Sequence, residues 1–124
     1  VDDIMHAGER MPLVSTDTSL RDALLEMTRK GLGLTGILAA DGTLAGIFTD
    51  GDLRRTLDQS VDIHQARIDS VMTPRCKTVR QGALAAEALK IMDDGKINGL
   101  FVVDPAGNPV GALNMHDLLR AGVV

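Results

Sequence analysis

The chain has no Trp, no Tyr and two Phe in 124 residues, a single Cys and no excess of basic charge. Each shortage excludes something. With aromatics at 2% and hydrophobic residues at 44%, the core has to be built from Leu, Ile, Val, Ala and Met. A formal net charge of −4 argues against a nucleic-acid surface, which needs clustered Lys and Arg, and aromatics for single strands. The lone Cys76 rules out an intrachain disulfide and a Cys-based zinc cluster, and it fits a reducing compartment. No apolar run approaches the length of about 20 residues that a bilayer span requires, and no basic segment leads an apolar one at the N-terminus. The chain reads as soluble and cytoplasmic, with no membrane partner. It opens on VDDIMHAG without an initiator Met and reads as a piece of a longer protein.

What is present is a repeat. Displaced by 65 positions, the chain aligns Asp22 with Glu87, Leu24 with Leu89, Met27 with Met92, Gly46 with Gly111, Asp52 with Asp117 and Arg55 with Arg120. The lead-in segments VDDIM (1–5) and IDSVM (68–72) match at 67 instead, so the first copy carries two extra residues in the loop that follows. The copies are 1–66 and 67–124. A unit of about 60 residues is marginal alone, which makes a tandem duplication sharing a core the economical reading.

Each copy predicts the same elements. A short strand (Leu13 and Val14, or Thr78 and Val79) precedes a helix whose apolar positions Leu20, Ala23, Leu24 and Met27 keep helical spacing. Ser19 and Asp22 suggest a capping box, and Gly31 a C-cap. Two apolar runs follow, joined by ADGT in the first copy and by a looser PAGN turn in the second. A last helix closes the copy, GDLRRTLD or HDLLRAG. The fold class is α+β, two β-α-β-β-α repeats packed with pseudo-two-fold symmetry, and clefts between the halves are natural ligand sites. Met5, Met27, Met72 and Met92 hold repeat-equivalent positions and read as core filler.

This order of elements, with each copy opening on h-x-x-h-M and the first ending in GIFTDGD, resembles the tandem cystathionine β-synthase (CBS) domain module over the whole chain. The resemblance implies a nucleotide held by the Thr and Asp of the final motif. Carried over, these are Gly46, Thr49 and Asp52 in the first copy, and Gly111 and Asp117 in the second, where Asn114 stands in the place of Thr. Position in the family pocket implies base selectivity from Gly33 and Leu34 in GLTG and from Asn98 and Gly99 in NGLF. SLRDALLEMTRKGLG, DSVMTPR and MHDLLRAGVV look more narrowly like the C-terminal regulatory half of bacterial D-arabinose 5-phosphate isomerases, which make the precursor of Kdo for lipopolysaccharide. That likeness implies an N-terminal sugar-isomerase domain in the same protein and a homo-oligomer. It also implies a regulatory nucleotide, CMP or CMP-Kdo by end-product logic, or AMP or ATP as the commoner family ligands.

The residues support such a site on chemical grounds. An ionised carboxylate only accepts hydrogen bonds, so Asp52 can take both hydroxyls of a ribose, and the amides at the mouth of its helix suit a phosphate. Arg54 and Arg55 can neutralise phosphate or face solvent. The same residues have a plainer reading, since Thr49-x-x-Asp52 and Asn114-x-x-Asp117 are both capping boxes with Asp for the usual Glu. On pattern alone capping is the default, and the two roles are compatible. Gly33, Leu34, Asn98 and Gly99 read equally well as turn and strand residues. His116 lies in the first turn of the last helix, within reach of a ligand.

DGD (50–52) lacks the remaining ligands of a calcium loop, His6, His64 and His116 fall in unrelated segments, and no Ser-His or Cys-His arrangement occurs. No metal site and no catalytic residue is expected. Two functions compete: a regulatory nucleotide-binding module, and an oligomerisation or docking module that binds nothing small.

Overall fold

The structure, a computed structural model, describes residues 1–123. Its elements follow the expected order. Strand β1 (Leu13–Ser15) leads to helix α1 (Leu20–Lys30), strands β2 (Leu34–Leu38) and β3 (Leu44–Thr49), and helix α2 (Asp50–Asp58). A two-residue strand β4 (Thr73–Pro74) precedes the second set: β5 (Thr78–Arg80), α3 (Ala85–Gly95), β6 (Gly99–Val103), β7 (Pro109–Asn114) and α4 (Met115–Arg120).

Local chemistry sets the boundaries of these elements. Ser19 Oγ accepts the Asp22 amide at 3.1 Å and Gly31 ends α1 in the left-handed region at φ +71°. Only the Ser19 half of the expected box forms, and Ser19 lies instead in a bridge to Arg67 whose hydrogen bonds run from Leu20 N to Ala66 O and from Ile68 N to Thr18 O. In the second copy the left-handed C-cap of α3 falls on Lys96. The two hairpin turns are the same, contrary to the expectation of a looser second one: Ala39 N donates to Thr43 O and Asp104 N to Asn108 O, each at 2.9 Å. Gly42 and Gly107 supply the positive φ in each (+87° and +89°). Asp41 and Asp104 each hold a turn amide, so either spacing of Asp and Gly reaches one geometry.

The compact units do not coincide with the sequence copies 1–66 and 67–124. One comprises Pro12–Cys76; the other comprises Val1–Met11 together with Lys77–Val124. Each lead-in therefore serves the copy that it does not precede. In the first unit the lead-in strand β4 pairs antiparallel with β3, Ile47 opposite Thr73, so the sheet has four strands in the order β1-β2-β3-β4 rather than three. In the second, the sheet runs β5-β6-β7, and His6 makes a bridge to Ala112 with both hydrogen bonds at 2.9 Å.

Glycine makes this docking possible. A Cβ at position 46 would lie 2.7 Å from Thr73 O and 2.8 Å from Met72 Sδ, and one at 111 would overlap the Met5 side chain. Met72 and Met5 cross the last strand where a side chain is missing, each packed against the core of its unit. Those cores are aliphatic: Leu20, Ala23, Met27, Ile37, Phe48 and Ile68 in the first, and Val79, Ala88, Met92, Leu100, Leu113 and Leu118 among those of the second. The repeat-equivalent methionines are packing residues as expected. Burial also pushes the half-buried Cys76 thiol up, away from the reactive thiolate. No helix among the described residues is long and apolar enough to cross a membrane.

One buried charge ties α1 to β1. Glu26 is 6% exposed; it accepts from the Leu13 amide at 3.2 Å and from Lys30 at 2.9 Å, and it pairs with Arg29. Burial works to raise its pKa, but the Lys30, Arg29 and Leu13 hydrogen bonds outweigh it, and the carboxyl lies below the ordinary value. The stability it contributes is therefore present above the unfolded carboxylate range and lost as pH falls through the lowered folded value. Glu26→Gln is expected to cost on the order of 2 kcal/mol in urea unfolding at pH 7, with the gap to wild type closing as the pH is brought to 3. A gap independent of pH would refute the assignment.

Candidate functional site

The two hairpins bring the expected site residues together in matching fashion. Leu34 stands opposite Thr49 in the β2–β3 ladder and Gly99 opposite Asn114 in β6–β7. The amide of the first helical residue closes the corner: Asp50 N donates to Gly33 O at 3.2 Å, and Met115 N to Asn98 O at 2.8 Å. The proposed base-facing residues are thus register partners of the proposed sugar-facing ones, because each hairpin ends where its helix begins. Gly46 lies elsewhere on β3, and the space a side chain would take there is filled by Met72 and Thr73. The reason for a glycine at 46, as at 111, is the lead-in crossing rather than room for a ligand.

Asp52 and Asp117 are almost completely buried, at 5% and 4% exposure. Both form the capping boxes that the pattern predicts. Asp52 Oδ2 accepts from the Thr49 amide at 2.9 Å and the Thr49 hydroxyl at 3.1 Å, while the Asp52 amide donates back to Thr49 Oγ1. Asp117 Oδ2 accepts from the Asn114 amide at 2.8 Å, and Asn114 Oδ1 receives the Asp117 amide at 3.0 Å. Asn therefore replaces Thr as a cap without loss, since its amide oxygen accepts as the hydroxyl does.

The second oxygen of each carboxylate turns to the lead-in. Thr73 Oγ1 donates to Asp52 Oδ1 at 3.0 Å, and Arg55 pairs with the same oxygen. His6 Nε2 lies 2.8 Å from Asp117 Oδ1, which Arg120 also reaches. One oxygen is committed to the helix cap and one to the lead-in plus an arginine one turn along the helix. His6 and Thr73 are the contacts that the motif alone misses. The lead-in offset of 67 already equates them, but nothing in the pattern says that each lead-in docks on the other copy.

Two pockets flank these corners. One of about 440 Å³ is lined by Leu24, Met27, Thr28, Gly33, Asp50 and Leu53, and it takes in Gly33 but neither Thr49 nor Asp52. Asp50, whose counterpart in the second copy is Met115, lines it with its carboxylate 3.2 Å from where a Gly33 Cβ would be. The other, of about 300 Å³, is lined by Asp3, His6, Arg10, Asp117 and Arg120 among others, and takes in neither Asn98 nor Asn114. His116 is exposed on α4 and lines neither pocket. The first pocket is mostly apolar; the second is ionic.

Paired lead-ins, hairpins and capped carboxylates are the features of one domain type, and the chain belongs to the CBS domain family, whose model matches residues 1–59 and 68–124. Among curated proteins it is similar to the arabinose 5-phosphate isomerase KdsD of Pseudomonas aeruginosa, at 64% identity over all 124 residues, and to that of Escherichia coli K12, at 53%. The chain spans 38% of the length of each. Among solved structures, CBSX2 in complex with AMP superposes with a TM-score of 0.81 at 25% identity, covering 98% of this chain and 93% of that one. A CBS domain protein from Pyrobaculum aerophilum, also complexed with AMP, reaches 0.83 at 18% identity and shows the fold alone.

A double-mutant cycle tests the lead-in latch. His6→Ala and Asp117→Asn are expected to be coupled by on the order of 1 kcal/mol in chemical unfolding, whereas unconnected sites add to within about 0.5 kcal/mol. Additivity would show that the His6–Asp117 contact contributes nothing.

Proposed function

We propose that this chain is the regulatory module of an arabinose 5-phosphate isomerase and that it binds a nucleotide through the capped carboxylates. The observation that carries the reading is 64% identity to a KdsD protein along the entire chain. An N-terminal sugar-isomerase domain in the same protein, assembly into a homo-oligomer and a place in Kdo supply to lipopolysaccharide come with it. Support for a nucleotide comes from the AMP seen in CBSX2 and from the corner geometry. A ribose hydroxyl that takes Asp52 Oδ1 replaces the Thr73 donor while leaving the Oδ2 cap intact. Ligand occupancy and lead-in position then share one acceptor, which is what a regulatory coupling requires. Thr49, Asp52, Gly33 and Leu34 form the first site, with Gly46 seating the lead-in beside it. Asn114, Asp117, Asn98, Gly99 and His116 form the second. The ligand is CMP or CMP-Kdo by end-product logic, with AMP and ATP as the alternatives.

One observation favours the competing reading of a docking module with no small ligand: each oxygen of both carboxylates already has a protein donor. Calorimetric titration with CMP, CMP-Kdo, AMP and ATP separates the two. Heat with at least one nucleotide, abolished by Asp52→Ala, is the expected result. No heat and no melting shift with any of the four, with Asp52→Ala lowering only stability by about 1 kcal/mol, would leave the docking reading standing.

A further inference from the structure

The two pockets differ in kind although the copies are alike. That of the second unit is lined by Arg10 and Arg120, by His6, and by the carboxylates of Asp3 and Asp117. Arg120 pairs with Asp117, and His6 shares the same oxygen. Among the described residues the Arg10 side chain has no hydrogen bond or ion pair, as is also true of Arg21, Arg54 and Arg75, but of these only Arg10 lines this pocket, beside the paired Arg120. Arg10 reaches the pocket because the longer loop after the first lead-in winds into a 3-10 turn at Gly8–Arg10 before β1, where in the second copy residues 75–77 alone join β4 to β5. The corresponding latch in the first unit is the neutral Thr73 hydroxyl.

We propose that this pocket binds a small hydroxylated acid, a sugar phosphate or a sugar carboxylate, with Arg10 and Arg120 on the anionic group and Asp117 and Asp3 accepting from hydroxyls. The inference rests on the reading of Asp117 as a ligand carboxylate and gives that site its ligand class. A guanidinium presents a fork of donors matched to phosphate or carboxylate, and an acceptor-only carboxylate takes sugar hydroxyls, so a wall carrying both selects ligands with both groups. Size points the same way. About 300 Å³ lies at the small end of ligand pockets and suits a monosaccharide acid rather than a whole nucleotide. Ile4, Met5 and Ala121 also line this pocket, but its surface is mostly polar, whereas the pocket at Gly33 is mostly apolar, with Leu24, Met27 and Leu53 in its wall.

The test is an amide NMR titration of the chain with arabinose 5-phosphate, glucuronate and neutral arabinose, on wild type and Arg10→Gln, with CMP run in parallel. At least one of the two acids should shift the His6, Arg10 and Arg120 amides, and which one does so identifies phosphate or carboxylate as the source. Neutral arabinose should not shift them. Arg10→Gln should weaken acid binding about tenfold with the melting temperature unchanged. Absence of shifts with both acids, equal binding of arabinose, or unchanged affinity in Arg10→Gln would overturn the proposal. CMP at the first site reports separately on Gly33, Thr49 and Asp52, which line no part of this pocket, so failure of the nucleotide reading there and failure of this one give different spectra.

Discussion

The structure depends on a close crossing of each lead-in over a glycine of a hairpin's last strand. At Gly46 and Gly111 the last strand of each hairpin has no side chain, and the lead-in of the opposite copy lies in the gap with its methionine against the core. A Cβ at Gly46 would meet the carbonyl of Thr73, which cannot swing aside as a side chain can. From that crossing follow the fourth strand of the first sheet, the bridge of His6 to Ala112 in the second, and the membership of Val1–Met11 in the unit of the second copy. Neither half of the duplication completes its own core.

The crossing also places the chemistry. It delivers Thr73 to Asp52 and His6 to Asp117, each onto the carboxylate oxygen that the helix cap leaves over. Capping and ligand binding look like rivals when only Thr-x-x-Asp is considered. The two oxygens stand in distinct environments: one accepts at the helix mouth, while the other takes the lead-in donor, and under the proposed nucleotide reading this second oxygen is the exchangeable position. Because the donor to that oxygen sits on a lead-in, a ligand of the proposed kind that displaced it would act on the segment that enters each unit.

Most of the fold was legible in the residues because the repeat doubles every signal. Helical spacing at Leu20, Ala23 and Met27, the Gly31 cap and the hairpin glycines each specify local geometry, and local geometry is what pattern reports. The boundaries of the compact units were not legible, since a lead-in of VDDIM or IDSVM fits either copy equally and its choice is a tertiary matter. Gly46 was read as a ligand glycine for the same reason: sequence shows that space is needed but not what fills it. Of the site, Thr49, Asp52, Asn114 and Asp117 were found as caps. His6 and Thr73 were out of reach, because they come to the carboxylates through the crossing alone.

The most direct test of the exchanged lead-ins is amide hydrogen exchange on the chain lacking residues 1–11. Removal of Met5 from above Gly111 and of His6 from Asp117 should collapse protection in β5, β6 and β7 while Pro12–Cys76, whose lead-in remains, keeps its protection. Equal loss in both units, or undiminished protection of β6 and β7, would contradict the account.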